Sequence, residues 1–128
     1  MSQHSSPVEY KRVIAKIQKL LNFYHKTCFD HIDVTNMYVH GESEEDRRIA
    51  ATTYVGWEYR RCTITWFLPV LKRMDDEELE ETVVHELCHT ITDPMIWDKC
   101  PTKVWEYSTQ STALALLRLK QHFEKKLK

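Results

Sequence analysis

Asp75-Asp-Glu-Glu-Leu-Glu-Glu-Thr-Val-Val-His-Glu-Leu-Cys-His-Thr-Ile-Thr92 is the stretch on which the fold class turns. Asp75 followed three residues later by Glu78 matches a capping box, and acids crowd the first turn, where a helix dipole favours them. Val83, Val84, Leu87 and Cys88 give the segment an apolar side. Pro94 biases Asp93 away from helical angles. The spacing predicts a helix from Asp75 or Asp76 to about Thr92.

Five residues inside this helix carry chemistry: His85-Glu86-Leu87-Cys88-His89. Residues four apart lie on one helix face, so His85 and His89 can aim both imidazoles at one ion. Glu86 is rotated ~100° from His85 but only ~60° from His89. It borders the same face and can reach a water on the ion without ligating it, which is the physical content of a His-Glu-x-x-His helix. With 7 His and 12 Glu in 128 residues, chance supplies about 0.03 such matches, so the pattern is informative.

A catalytic zinc usually takes three protein ligands plus water. Downstream, the only histidine is His122, far along the last helix. The acids are Asp93, Asp98, Glu106 and Glu124. Glu106 sits in the first turns of a helix that can fold back, and helix rigidity favours it as the third ligand. Asp93 and Asp98 are the alternatives. Thr109 and Gln110, one turn beyond Glu106, are candidates to orient the ligands. Trp66, Phe67 and Trp105 are candidates to wall a substrate pocket.

Working outward, Val8–Lys26 reads as a helix, with Val13, Ile14, Ile17, Leu20, Leu21 and Tyr24 at 3–4 spacing and Lys11, Arg12, Lys16 and Lys19 opposite. Asp33–Val39, Ile49–Val55 and Arg61–Leu68 read as strands. In the third, Cys62, Ile64, Trp66 and Leu68 alternate with Thr63, Thr65 and Phe67. Gly41–Arg48 and residues 94–101 read as loops. A last helix starts near Thr102 and carries Val104, Trp105, Ala113, Leu114, Leu116, Leu117 and Phe123 into a lysine-rich end. The expectation is one α+β domain over 1–128, with helices on one face of a small, mainly antiparallel three-stranded sheet.

Composition closes off other classes. Lys+Arg 18 against Asp+Glu 19 gives a net charge of −1, which carries no signal for nucleic acid or an anionic membrane. Two glycines exclude a Gly-rich phosphate loop. No run approaches the ~20 apolar residues of a bilayer span, and Met1–Pro7 lacks the pattern of a secretory leader. Cys28, Cys62, Cys88 and Cys100 form no Cys-x-x-Cys pair, so reduced thiols and a cytoplasmic monomer are expected. A closed structural zinc would call on sulfur, and Cys88 points ~100° from His89.

His85-Glu86-Leu87-Cys88-His89 followed by Glu106 in Trp105-Glu106-Tyr107-Ser108-Thr109 resembles the zincin metallopeptidases of the gluzincin type, and most closely their minimal forms found in phages and prophages. The resemblance implies a backing helix, a short sheet, an active-site helix and a glutamate helix. It implies zinc held by His85, His89 and Glu106, and a zinc-bound water activated by Glu86 for peptide hydrolysis in the cytoplasm (the host's, if phage-encoded). It further implies that Arg61–Leu68 is the edge strand that pairs with a peptide substrate. The chain departs from the pattern in lacking the Asn-Glu-x-x-Ser-Asp form of the glutamate helix and the third histidine of SprT-like and metzincin relatives. Tyr54, Tyr59, Tyr107 and His31 are the candidates for an oxyanion-stabilising group. The alternative expectation is a zincin-shaped zinc-binding module that holds a peptide or host protein without cutting it.

Overall fold

In a computed structural model of the protein, the described residues are 7–41, 49–93 and 101–127. Of the loops expected over Gly41–Arg48 and 94–101, residues 42–48 and 94–100, with Trp97, Asp98 and Cys100, lie outside them. The elements are α1 (Pro7–Cys28), β1 (Asp33–Val39), β2 (Ala51–Gly56), β3 (Arg61–Phe67), a short α2 (Leu68–Leu71), α3 (Asp76–Thr92) and α4 (Thr102–Leu127). This is the expected α+β class. None of the described helices is long and apolar enough to cross a membrane.

The sheet order is β1-β3-β2, with β3 antiparallel to β2 and parallel to β1. The structure corrects two expectations here. The sheet is mixed rather than mainly antiparallel, and Arg61–Phe67 is its central strand, not an edge. The reason lies in burial. On β3, Cys62, Ile64 and Trp66 are buried and Thr63, Thr65 and Phe67 half-buried, whereas β1 and β2 alternate half-buried with exposed residues. The strand with the least to show to water takes the middle, and β1 crosses over to its far side. A strand paired on both edges has no free backbone groups to offer a peptide. The strand also stops at Phe67, because Pro69 belongs to the first turn of α2, where its missing N–H costs nothing.

Three rungs define the face that meets the helices: Tyr38–Trp66–Ala51, Asn36–Ile64–Thr53 and Val34–Cys62–Val55. The Trp66 indole donates to Asn36 Oδ1 across 2.9 Å. Met37 and Tyr54 lie on the opposite, exposed face. α1 buries Tyr10, Val13, Ile17, Leu21 and Tyr24, the 3–4 spacing of its sequence. Tyr24 Oη donates to Glu80 Oε2 at 2.6 Å, and Lys120 Nζ reaches the same oxygen, which ties α1, α3 and α4 together. Burial, and then the Glu80 carboxylate, push the Tyr24 phenol well above its ordinary pKa.

The capping box at the start of α3 is formed. Asp75 Oδ1 accepts from the Glu78 N–H at 2.7 Å, and Glu78 Oε1 accepts from the Asp75 N–H at 3.1 Å. Such a cap is worth about 1 kcal/mol. α4 packs along α3 through Ala113, which is fully buried, and through a Thr92–Thr109 hydroxyl pair 2.5 Å apart.

Candidate metal centre

Val83, Val84, Leu87 and Cys88 are fully buried, and they fix the rotation of α3 about its axis. His85, Glu86 and His89 then emerge on the side shared with β2 and α4. Their ligand atoms lie within 4.8 Å of one another, and the two imidazole centroids are 5.1 Å apart. Glu86 and His89 are buried, while His85 is half-buried.

Each imidazole is held by its Nδ1. His89 Nδ1 lies 2.8 Å from Asp93 Oδ1, an oxygen that also accepts the Trp105 indole N–H at 3.0 Å. The Trp105 ring packs 5.2 Å from the His89 ring. His85 Nδ1 lies 2.6 Å from Gln110 Oε1. Acceptors on both Nδ1 atoms place the hydrogens there and leave each Nε2 with a lone pair, the arrangement that metal-binding histidines need. Burial works against a charge on His89, but Asp93, with Glu86 and Glu106, outweighs it and lifts the imidazole's proton affinity. A cation bound at Nε2 would compete with that proton.

Glu106 Oε1 stands 4.0 Å from His89 Nε2, on a side chain about half exposed. Two ligands of one tetrahedral zinc, each ~2.0–2.1 Å from the ion, are ~3.3 Å apart. Glu106 closes that gap by a shift of under ~1 Å, which a half-exposed carboxylate makes by rotating its own side-chain torsions. The two imidazoles suit a zinc-type ion, whereas Glu106 stands outside the group whose ligand atoms lie within 4.8 Å of one another, which is His85, Glu86 and His89, and would have to move to become a third ligand. His122 does not join them, since it lies ~24 Å further along α4 at 1.5 Å per residue.

Glu86 is only 6% exposed, and Thr53 Oγ on β2 donates to its Oε1 at 2.6 Å. Burial raises the Glu86 pKa above the usual carboxylate range. The Thr53 bond and the two imidazoles pull it back, and Glu106 pushes it further up. The result is a carboxylate with a raised affinity for a proton beside the two imidazoles.

The other expected residues sort by position. Gln110 touches His85, as an orienting residue would. Thr109 is fully buried and bonds Thr92 and the Trp105 carbonyl, so it holds α4 to α3 rather than touching a ligand. Trp66 is the clear correction: it is fully buried in the core against Asn36 and cannot wall a substrate pocket. Trp105 braces His89 through Asp93, which holds His89 by its Nδ1. Cys88 is fully buried, and burial pushes its thiol up to about 12, which suits core packing and not metal ligation. Tyr54, Tyr59 and Tyr107 are more than two-thirds exposed, with Tyr54 and Tyr59 on the rim of a different cleft beside Arg61 and Cys62. Sequence reasoning missed Thr53, whose tie to Glu86 spans 33 positions and has no local signature. It also missed Glu81, one helical turn before His85, whose Oε1 accepts from Gln110 Nε2 at 2.8 Å.

No curated protein and no solved structure matches the chain. The model of the SprT-like family matches residues 17–100, about two thirds of the length and the whole of α3. The gluzincin resemblance rests on Glu106, which lies beyond that stretch. The chain belongs to the SprT-like family, a group of zincin-like, metallopeptidase-type domains.

Proposed function

We propose that the protein is a zinc-dependent peptidase in which His85 and His89, through Nε2, and Glu106 hold the metal in a gluzincin-like set, with Glu86 as general base. One observation carries the reading: both Nδ1 atoms are engaged, by Gln110 and Asp93, which leaves each Nε2 free for a cation in a group of His85, Glu86 and His89 whose ligand atoms lie within 4.8 Å of one another. When bound, zinc would polarise the scissile carbonyl and acidify a water toward pKa ~7. Glu86 takes the proton of the attacking water and delivers it to the leaving amine. Its burial raises its basicity for that task, while Thr53 fixes Oε1 and leaves Oε2 to exchange the proton.

The substrate pairs with β2, not β3. Among the described residues β2 is hydrogen-bonded on one side only, and it carries Thr53 against Glu86. An extended peptide added at that edge gains backbone hydrogen bonds with little side-chain selection. Beside it, a cleft of about 310 Å³ lined by Ile49, Ala51, Glu81, His85 and Gln110 can take one substrate side chain.

Glu86→Gln tests the reading. The variant should bind zinc with the parent's affinity and lose peptide cleavage by a factor of 10² or more. Cleavage at the parent rate would remove Glu86 from the mechanism. The exposed positions of Tyr54, Tyr59 and Tyr107 favour a second reading, a zinc-binding module that holds a peptide without cutting it. Stoichiometric zinc together with no cleavage of an unbiased peptide library would select that one.

A further inference from the structure

Glu81 is one turn before His85 on α3 and binds no ion in the reading above. Its Oε1 accepts from Gln110 Nε2 at 2.8 Å, and Gln110 Oε1 lies 2.6 Å from His85 Nδ1. An amide has two unlike ends, and an imidazole nitrogen can donate or accept, so the Gln110–His85 pair alone is satisfied in either of two polarities. An ionised carboxylate only accepts. It therefore decides which end of Gln110 faces it, and with that which end faces His85.

We propose that Glu81 is a positioning residue that sets the polarity of the Glu81–Gln110–His85 chain and so fixes His85 in the tautomer whose Nε2 can bind a cation. The carboxylate claims the Gln110 amide hydrogens, the amide oxygen turns to His85, and Nδ1 must carry the hydrogen. With the chain reversed, Gln110 would donate to Nδ1 and the hydrogen would sit on Nε2, where a metal must bind. His89 needs no such relay, because Asp93 contacts it directly. The proposal rests on His85 being a metal ligand, but its first consequence, the tautomer, exists without metal.

Three variants at half-buried Glu81 separate the outcomes. Glu81→Lys replaces an acceptor by a donor and should reverse the chain. Glu81→Ala removes the bias. Glu81→Gln presents either end of an amide, so it tolerates both polarities. Two-bond 1H–15N correlation spectra of the metal-free protein at pH 8 report the His85 tautomer. Parent protein should show hydrogen on Nδ1, Glu81→Lys hydrogen on Nε2, and the Ala and Gln variants a mixture. Zinc affinity, measured by competition with a chromophoric chelator, should fall about 10–100-fold in Glu81→Lys and about tenfold in Glu81→Ala. It should stay within about threefold of the parent in Glu81→Gln, since bound metal selects the competent polarity. Glu81→Lys with the parent's tautomer and affinity would overturn the proposal. If the parent itself bound no zinc, the peptidase reading would fail, and the metal-free spectra would still decide the role of Glu81. Should Glu81→Lys not fold, the mixture of tautomers in the Ala and Gln variants is the deciding result, and a pure Nδ1–H signal in both refutes the proposal.

Discussion

Thr53→Val is the sharpest test of how the general base is tuned. Valine keeps the β-branched shape, so β2 and its pairing with β3 should stand, while the hydroxyl that donates to Glu86 Oε1 at 2.6 Å is lost. A hydrogen bond to a charged group is worth ~1.5–3 kcal/mol and one to a neutral group ~0.5–1.5. The ionised form of Glu86 therefore loses ~1–1.5 kcal/mol more than the protonated form, which is about one pKa unit upward at 1.36 kcal/mol per unit. Glu86 already has a raised pKa in the folded protein because it is buried. A raised carboxyl pKa means that the folded state holds its proton longer than the unfolded chain, so this group's contribution to stability is best at low pH and declines as pH rises from the unfolded value toward the folded one. Thr53→Val deepens that decline. Urea unfolding of the metal-free protein should show the variant less stable by about 1 kcal/mol at pH 4 and by about 2–3 kcal/mol at pH 8. In the loaded enzyme the acidic limb of kcat/KM should move up by about one pH unit. A stability loss of equal size at both pH values, with an unmoved acidic limb, would refute the assignment of Thr53 as the group that holds the Glu86 charge.

Other outcomes follow from the same geometry. Asp93→Ala frees the His89 imidazole and strands the Trp105 indole N–H; zinc affinity in a chelator competition should drop 10–100-fold, with ~1–3 kcal/mol lost in thermal or urea unfolding. Thiol labelling should divide the described cysteines. Exposed Cys28 reacts within the labelling time. Cys62 and Cys88, buried and with thiols pushed up to about 11 and about 12, stay unlabelled at pH 8 until the protein unfolds; rapid labelling of either in folded protein, followed by peptide mapping, would contradict their place in the core.

The local features were legible because they are written in consecutive residues. The capping box of Asp75 and Glu78, the burial of α1 at Val13, Ile17, Leu21 and Tyr24, and the shared face of His85 and His89 all follow from helical spacing, and the structure has each of them. What depended on chain crossings was not legible. Strand Arg61–Phe67 alternates cleanly, but alternation reports which face is buried and not how many neighbours a strand has, so its central place between β1 and β2 escaped. Trp66 was misplaced for the same reason: facing direction was right, but that face belongs to the core. Thr53 was invisible, because a threonine in a strand is ordinary until the register sets it opposite Ile64 and under Glu86.

The supports of the candidate centre are also the contacts that hold the fold. Gln110 and Trp105, which steady His85 and His89, sit on α4 with Glu106, and α4 is fixed to α3 by Ala113 and the Thr92–Thr109 pair. Thr53, which steadies Glu86, sits on a strand seated against α3. A shift of α4 along α3 by even a fraction of a turn would break the His85–Gln110 contact, pull the Trp105 indole from Asp93 and carry Glu106 away from His89. Helix docking and the geometry of the two imidazoles are thus one constraint here. It also means that loss of metal affinity in a variant of the α3–α4 interface is not evidence of a lost ligand. A change that leaves this docking untouched, such as Thr53→Val on β2, separates tuning of the centre from its collapse.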